Sequence, residues 1–351
     1  MVSSLHRIQP PIILIEARPA YEFLQSLFIF CSHLLSPEKA YDIGDAWFQA
    51  VHAKSEIERK LAPELFVQAS CCHLLGLASS CPLPRDVPAL LAFLEAIHPT
   101  EFYLGLMGYY SRSLRKLISS STILQASKGD QQAQHSFLQA VSDDTSYQEG
   151  LRYLFAHEAQ EIKATLLATL HYWYKTIFRD MEAEIMPILE RDAEAKRELR
   201  QSIPEDRFIE VATNGYDYIP EPFISTIVLA PSFVGRPSIV FTDYHDCKIF
   251  CYPVDDESLT VDKDAPPERL VRLYKALGDE RRLRILKKLT TGNFNLQEIA
   301  DAFGVGKSTL HHHMVTLRSA GLIRLRSSDK RYSLRQEMLP GAAELLAAYL
   351  K

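Results

Sequence analysis

Residues 295–326, NLQEIADAFGVGKSTLHHHMVTLRSAGLIRLR, decide the fold of the C-terminal part of this chain. Asn295 followed three residues later by Glu298 predicts a capped helix start. The glycines of the tight turn 304–306 end that helix, and a second helix is predicted from Lys307 to about Ala320, where Gly321 stops it. Two short helices joined by a three-residue turn with glycine are the helix-turn-helix pattern.

A β-hairpin is predicted directly after this pair of helices. The alternating runs 322–326 and 331–335 flank a short polar turn, which is typical of two antiparallel strands. The hairpin is basic, and its long cationic side chains can reach the phosphates or the minor groove of duplex DNA. Helix, turn, helix and basic wing appear in the order of a winged helix-turn-helix.

The second helix has a core side and an outer side when its residues are projected at 100° per residue. Leu310, Met314 and Leu317 cluster on the core side, and small polar residues lie opposite. Such residues let a helix sit deep in the major groove of double-stranded DNA, the predicted partner. The predicted DNA contacts are Lys307, Ser308, Thr309, His311, His312, Thr316 and Arg318 in the helix and Arg324, Arg326, Lys330 and Arg331 in the wing.

The module resembles a known family of regulators. The segments LYKALGDERRLRILKKL (273–289) and LQEIADAFGVGKSTLHHHMVTLRSAGLIRLR (296–326) are similar to the ArsR/SmtB-type winged helix regulators, over residues 267–351. The resemblance implies a symmetric homodimer, formed by residues of about 267–277 and 341–350, and most often repression relieved by an effector. Metal-sensing members carry a cysteine pair in the helix before the recognition helix. Residues 295–303 contain no cysteine, so we expect no metal and no cofactor there.

The rest of the chain predicts an α+β, mainly helical fold. Residues 12–16 indicate a short strand, and Pro19 is well placed as the first residue of a buried helix to about Leu35. A series of helices follows to residue 201, and residues 207–252 predict a small antiparallel sheet of three or four strands in a meander. The opening, Pro19-Ala-Tyr-Glu22 with Ser26-Leu27, loosely resembles the large sensor-like region that precedes this module in some bacterial regulators.

These patterns predict four parts. Residues 1–204 form a mainly helical region for an effector or for dimerisation, and residues 205–254 form a β-rich segment packed on it. The acidic, proline-bearing residues 255–266 are the predicted linker. Residues 267–351 are the winged helix-turn-helix.

The charge of the chain is distributed unevenly. Residues 266–351 hold 16 Lys and Arg against 8 Asp and Glu, a balance of +8, within a chain whose net charge is −5. A basic module on an acidic body indicates a polyanionic partner for one end only. No stretch approaches the apolar length of a membrane span, and the N-terminus lacks a secretion signal. We therefore expect a cytoplasmic protein without a membrane partner.

The six cysteines do not suggest a disulfide framework. An alternative is that His245, Cys247 and Cys251 bind a metal ion, because alternate positions of a strand share one face. Buried thiols in a sheet are the simpler interpretation.

The sequence favours a dimeric DNA-binding repressor, not an enzyme, released when an unknown small-molecule effector binds in the N-terminal region. Two alternatives stay open. The N-terminal region could be an enzyme fused to the module, although residues 1–260 show no complete nucleophile–base, metal or nucleotide motif. It could also be a purely structural region that sets the dimer spacing.

Overall fold

The computed structural model describes residues 10–37, 41–54, 62–142, 144–259, 266, 268–326 and 329–350. The chain divides into two compact units, Met1–Ala193 with Pro222–Pro253 and Glu194–Glu221 with Val254–Lys351. The predicted class is confirmed: the chain is mainly helical with small sheets, and a winged helix-turn-helix follows a helical N-terminal region.

The first unit is built around a four-stranded sheet. Its strands are β1 (Ile12–Ile15), β3 (Thr226–Ser232), β4 (Val240–Tyr244) and β5 (Cys247–Pro253), in the spatial order β1-β3-β5-β4. β1 and β5 both pair with β3 in parallel, and only β4 runs antiparallel to β5. The antiparallel meander predicted for residues 207–252 is therefore wrong in this detail. Because β5 lies between β3 and β4, those consecutive strands are not neighbours, and the distant β1 completes the sheet.

Helices pack against this sheet. The first helix begins at Pro19, as predicted, and packs against β3. The helix Glu64–Ser79 packs against the first helix and against β4 and β5. The helices are α1 (Pro19–Leu35), α2 (Asp45–His52), α3 (Glu64–Ser79), α4 (Val87–Ala96), α5 (Pro99–Leu106), α6 (Ser120–Ser127), α7 (Gln131–Ala140), α8 (Thr145–Phe155), α9 (Ala159–Trp173) and α10 (Arg179–Ser202).

A π-helical turn, Tyr174–Phe178, joins α9 to α10 and carries the aromatic residues of this region. Trp173 and Phe178 are fully buried. Trp173 packs against Phe30, with ring centroids 5.2 Å apart, and donates a hydrogen bond to the Ser26 hydroxyl at 2.8 Å. These rings form part of the core of the first unit.

The second unit contains the winged helix-turn-helix and a segment that precedes it by about fifty residues in the chain. The end of α10, α11 (Glu205–Ala212) and the two-residue strand β2 (Tyr216–Asp217) belong to this unit. The predicted β-rich segment 205–254 is thus divided at residue 222, a difference from the sequence-based domain scheme. Within the predicted linker, residues 260–265 lie outside the described residues.

The C-terminal elements follow the predicted order. They are α12 (Glu268–Leu277), α13 (Glu280–Leu289), α14 (Leu296–Phe303), α15 (Lys307–Ser319), β6 (Ile323–Arg326), β7 (Tyr332–Leu334) and α16 (Gly341–Tyr349). β6 pairs antiparallel with β7, and β2 adds a third strand parallel to β6.

Candidate DNA-binding interface

Local hydrogen bonds fix the start of the helix-turn-helix. The Asn295 side chain accepts from the backbone N–H of Glu298 at 2.9 Å, and the Glu298 carboxylate accepts from the backbone N–H of Asn295 at 2.9 Å. This is the capping box expected from the sequence. Gly304 ends α14 in the left-handed conformation (φ 61°), and Gly306 is the N-cap residue of α15. The turn that orients α15 is therefore encoded by residues within a dozen positions.

One side of the recognition helix α15 is anchored in the core. Leu310, Met314 and Leu317 are buried, as the helical projection predicts. Lys307, Thr309, His311 and His312 are exposed at the start of the helix. The side chain of Ser308 lies outside the described part of the structure.

The predicted DNA contacts near the end of the same helix are less exposed. The half-buried Thr316 hydroxyl donates to the backbone carbonyl of His312 at 3.0 Å. Arg318 is also partly buried, beside Tyr332 and Tyr216; burial lowers the pKa of its guanidinium, and the two tyrosines oppose that shift. These two predicted contacts lie apart from the exposed group at the start of the helix.

The wing is fastened to the helix-turn-helix by Arg331. Its guanidinium donates to both carboxylate oxygens of Glu298, at 3.0 and 2.9 Å, and to the Asn293 carbonyl at 2.6 Å. Glu298 is the capping-box residue, and the pKa of its carboxyl is lowered first by the Asn295 backbone N–H and then by Arg331. Lys330 is exposed in the hairpin turn, with φ 55°.

The other two predicted wing contacts are paired with acidic side chains upstream of the module. Arg324 Nε lies 3.1 Å from a carboxylate oxygen of Glu210, which is buried. Arg326 Nε lies 3.9 Å from a carboxylate oxygen of Asp217, and Arg326 Nη1 lies 3.3 Å from one of Asp329. All three side chains are at the surface. The sequence predicts neither the role of Glu210 nor the separate strand that carries Asp217. The available signal is Asn214-Gly215, a turn dipeptide inside the segment 207–252, for which one sheet is predicted.

Comparisons with known proteins agree with this geometry. Residues 279–324 match the family described as "Bacterial regulatory protein, arsR family". The chain is 35% identical over 92 residues to YceK, an uncharacterized HTH-type transcriptional regulator of Bacillus subtilis (strain 168), and the match covers 24% of this chain and 92% of that protein. This chain belongs to the arsR family. No solved structure matches it.

The chain is therefore a DNA-binding transcriptional regulator. A large N-terminal region precedes the part that matches the family. None of the helices in the described ranges combines the length and apolar character that a bilayer span requires.

The regulator's N-terminal unit offers little support for the alternative metal site. Cys247 and Cys251 are four residues apart on β5, a separation of about 13 Å along a strand. His245 lies in the turn before β5, with its ring 4.7 Å from that of Tyr110. Within the described ranges, no group of three His, Cys, Asp or Glu side chains could hold a metal ion. Burial raises the pKa of both thiols, that of Cys247 to about 11, so they are protonated.

A cluster of buried polar groups lies at the carboxyl end of β3. Glu22 and Gln25, on one face of α1, are 0% and 1% exposed. One Glu22 oxygen accepts from the backbone N–H groups of Phe233 and Val234, at 2.9 and 2.8 Å. Among the described residues, the other Glu22 oxygen and both amide atoms of Gln25 make no hydrogen bond of ordinary length and angle, and the Ser232 hydroxyl and the Cys251 thiol lie beside these two side chains. We call Glu22, Gln25 and the adjacent Cys251 the polar cluster.

Proposed function

We propose that this regulator is a dimeric repressor in the cytoplasm, and that a small effector bound in its N-terminal unit releases it from DNA. Thr309, His311 and His312 would read the major groove, and Lys307 and Lys330 would contact phosphates. The exposure of the start of α15 supports this set, because direct readout needs side chains that can reach base edges. None of the six cysteines, all within the described ranges, forms a disulfide, which suits a reducing compartment.

Exposed apolar side chains support a dimer through the first and last helices of the module. Val271 and Tyr274 on α12 are 47% and 41% exposed, and Tyr349 and Leu350 at the end of α16 are 39% and 72% exposed. The two helices pack together, and the Tyr274 hydroxyl donates to the Ala342 carbonyl at 3.3 Å. Their apolar side chains therefore form one surface that a second copy would cover.

The dimer is tested by placing a charge on this surface. We expect Val271→Asp to convert the full chain from dimer to monomer in sedimentation experiments, because an isologous interface meets the substitution twice. Leu283→Asp is the matched control, since Leu283 is equally exposed, at 47%, on the neighbouring helix α13. A wild-type chain that is monomeric at micromolar concentration would contradict the proposal.

The polar cluster is the observation that carries the effector proposal. Buried polar atoms are almost always hydrogen-bonded, and unsatisfied ones gain from a water, an ion or a ligand that completes their hydrogen bonds. In sheets with parallel strands, ligands bind at the carboxyl ends of the strands, where this cluster lies. Its carboxylate and amide suit a small polar molecule that donates to Glu22 and both donates to and accepts from Gln25. We infer a sensor, not an enzyme, because a protonated buried thiol such as Cys251 is a poor nucleophile.

A thermal-shift screen of small polar metabolites tests the effector proposal. A ligand at 100 times its Kd should stabilise the protein by about 2.7 kcal/mol and should weaken DNA binding. Trp173 fluorescence gives a local readout, because its indole donates to Ser26, four residues after Glu22. Gln25→Ala should abolish the shift, whereas His312→Ala should keep it.

Each other outcome favours an alternative function. Chemical conversion of the ligand would favour the fused enzyme, and the absence of any stabilising ligand would favour a structural dimerisation region. A reporter gene behind the bound operator tests the direction of regulation: its expression should rise when the regulator is deleted.

A further inference from the structure

The segment 205–217 closes the outer edge of the wing. We call it the wing clamp: it comprises α11, the turn 213–215 and β2. Tyr216 and Asp217 pair in parallel with Leu325 and Arg326 of β6. The backbone N–H of Leu325 donates to the Gly215 carbonyl at 3.0 Å, and the Asn214 side-chain amide donates to the Ser319 carbonyl at the end of the recognition helix, at 3.1 Å.

The turn of the wing clamp is shaped for this contact. Gly215 has φ +105°, and a Cβ there would lie 3.0 Å from the backbone oxygen of Ile323. Gly321, two residues before β6, has φ +71°, and a Cβ there would lie 3.1 Å from the Asn214 side-chain oxygen. The left-handed backbone at both positions favours glycine, and at Gly215 a side chain would also press on the backbone of β6.

Glu210 is the electrostatic centre of the wing clamp. Its side chain is only 5% exposed. One carboxylate oxygen lies 3.1 Å from Nε of Arg324 and 3.7 Å from Nε of Arg335. The other lies 3.3 Å from Nε of Arg207, one turn earlier on α11.

This arrangement places a predicted DNA contact beside a buried negative charge. Arg324 is 26% exposed and shares Glu210 with Arg335, which is 9% exposed. A phosphate would have to compete with a carboxylate that is already desolvated and has three guanidinium groups within 3.7 Å. The wing therefore presents less positive charge to DNA than its sequence suggests.

We propose that Glu210 is a positioning residue that holds Arg324 away from DNA, so that the wing clamp limits the DNA affinity of the wing. This inference rests on DNA binding by the module and is independent of the effector proposal. Release of the wing clamp would give the wing one more phosphate contact and expose the edge of β6.

A double-mutant cycle with Glu210→Gln and Arg324→Gln tests the proposal in the full-length regulator. The readout is the slope of log affinity against log salt for a duplex of arbitrary sequence, which steepens by about 0.9 for each added phosphate contact. Glu210→Gln should tighten binding at low salt and steepen the slope by that amount. This adds about a three- to fourfold loss between 50 and 200 mM salt. Adding Arg324→Gln to Glu210→Gln should restore the wild-type slope.

Two controls separate this role from a structural or a general charge effect. Glu205→Gln removes the same charge from the same helix, at an exposed residue paired with Arg200, and should leave the slope unchanged. Arg324→Gln alone should also leave the slope unchanged, and it keeps Glu210 paired with Arg335 and Arg207.

Several results would overturn the proposal. If Glu205→Gln and Glu210→Gln change the slope equally, the effect comes from net charge and not from the position of Glu210. An unchanged slope for a folded Glu210→Gln protein would refute the proposal. If circular dichroism shows that Glu210→Gln is unfolded, the slope of the single variant Arg324→Gln tests the proposal. A slope shallower by about 0.9 in that single variant would place Arg324 on a phosphate in the wild type.

Discussion

The two units of the regulator each bury a carboxylate, in opposite electrostatic surroundings. Glu22 in the first unit accepts from two backbone N–H groups and lies beside Ser232, and burial raises its pKa to about 7. Glu210 in the second unit has three arginine side chains within 3.7 Å. Burial penalises the charged form of a carboxyl, whereas neighbouring guanidinium groups attract a carboxylate. The same residue type thus belongs to a hydrogen-bonded polar site in one unit and to a network of ion pairs in the other.

The two carboxylates give their units different responses to ligands and to mutation. A cluster whose polar atoms are not all satisfied gains stability from a molecule that completes its hydrogen bonds. A network in which every cation shares a carboxylate loses stability when one member is removed. The first unit is therefore suited to binding, and the second unit to coupling between the wing clamp and the wing.

The largest expected effect is on the stability of the second unit. Glu210→Ala removes the carboxylate that lies 3.1 Å from Arg324 and 3.7 Å from the buried Arg335, so we expect a loss of about 3–5 kcal/mol in the free energy of unfolding. Urea denaturation followed by circular dichroism measures it, with Glu205→Ala as the exposed control. A loss no greater than that of Glu205→Ala would remove the contrast between the two carboxylates.

The next largest effect is expected for Glu22, whose contribution to stability should decrease as the pH rises. The pKa of this carboxyl is raised on folding from 4.5 to about 7, so the folded state keeps a proton that the unfolded chain has lost. The stabilisation is fully present below pH 4.5 and is lost as the pH rises through 7, by roughly 3 kcal/mol.

Unfolding of the first unit is measured by tryptophan fluorescence, since both tryptophans, Trp47 and Trp173, lie in it. Glu22→Gln should flatten the decline between pH 4.5 and 7, because the amide does not titrate. A wild-type stability that rises over this interval would show that Glu22 is ionised in the folded protein.

The contrast between local and distant partners also explains what the sequence could predict. The capping box and the glycine turn were predicted because all of their signals lie within a few residues of one another. The side chain of Asn214 meets the carbonyl of Ser319 across 105 residues, and Glu22 meets Val234 across 212. A two-residue strand has no periodicity, and a short apolar strand carries no information about its neighbour. The wing clamp and the parallel pairing of β1 with β3 could therefore not be predicted from local sequence patterns.

A smaller effect is expected at the exposed start of the recognition helix. His312→Ala should change the preference among operators by about 1–3 kcal/mol, because a base contact discriminates between sequences. Selection of bound sequences from a random pool of duplexes measures this preference. Lys307→Gln is the control and should weaken all sequences alike. An unchanged preference in His312→Ala would mean that another face of α15 meets the bases.

The smallest effect is expected for Arg331, whose ion pair lies at the surface. Arg331 and Glu298 are 36% and 39% exposed, so water screens their attraction, and Arg331→Gln should lower the stability of the second unit by no more than about 1 kcal/mol. The capping box should survive, because its two hydrogen bonds join Asn295 and Glu298 and do not involve Arg331. DNA affinity should fall about equally for all sequences, since a wing held less firmly loses phosphate contacts without a change in base readout. A stability loss as large as that of Glu210→Ala would show that exposure does not separate the two ion pairs.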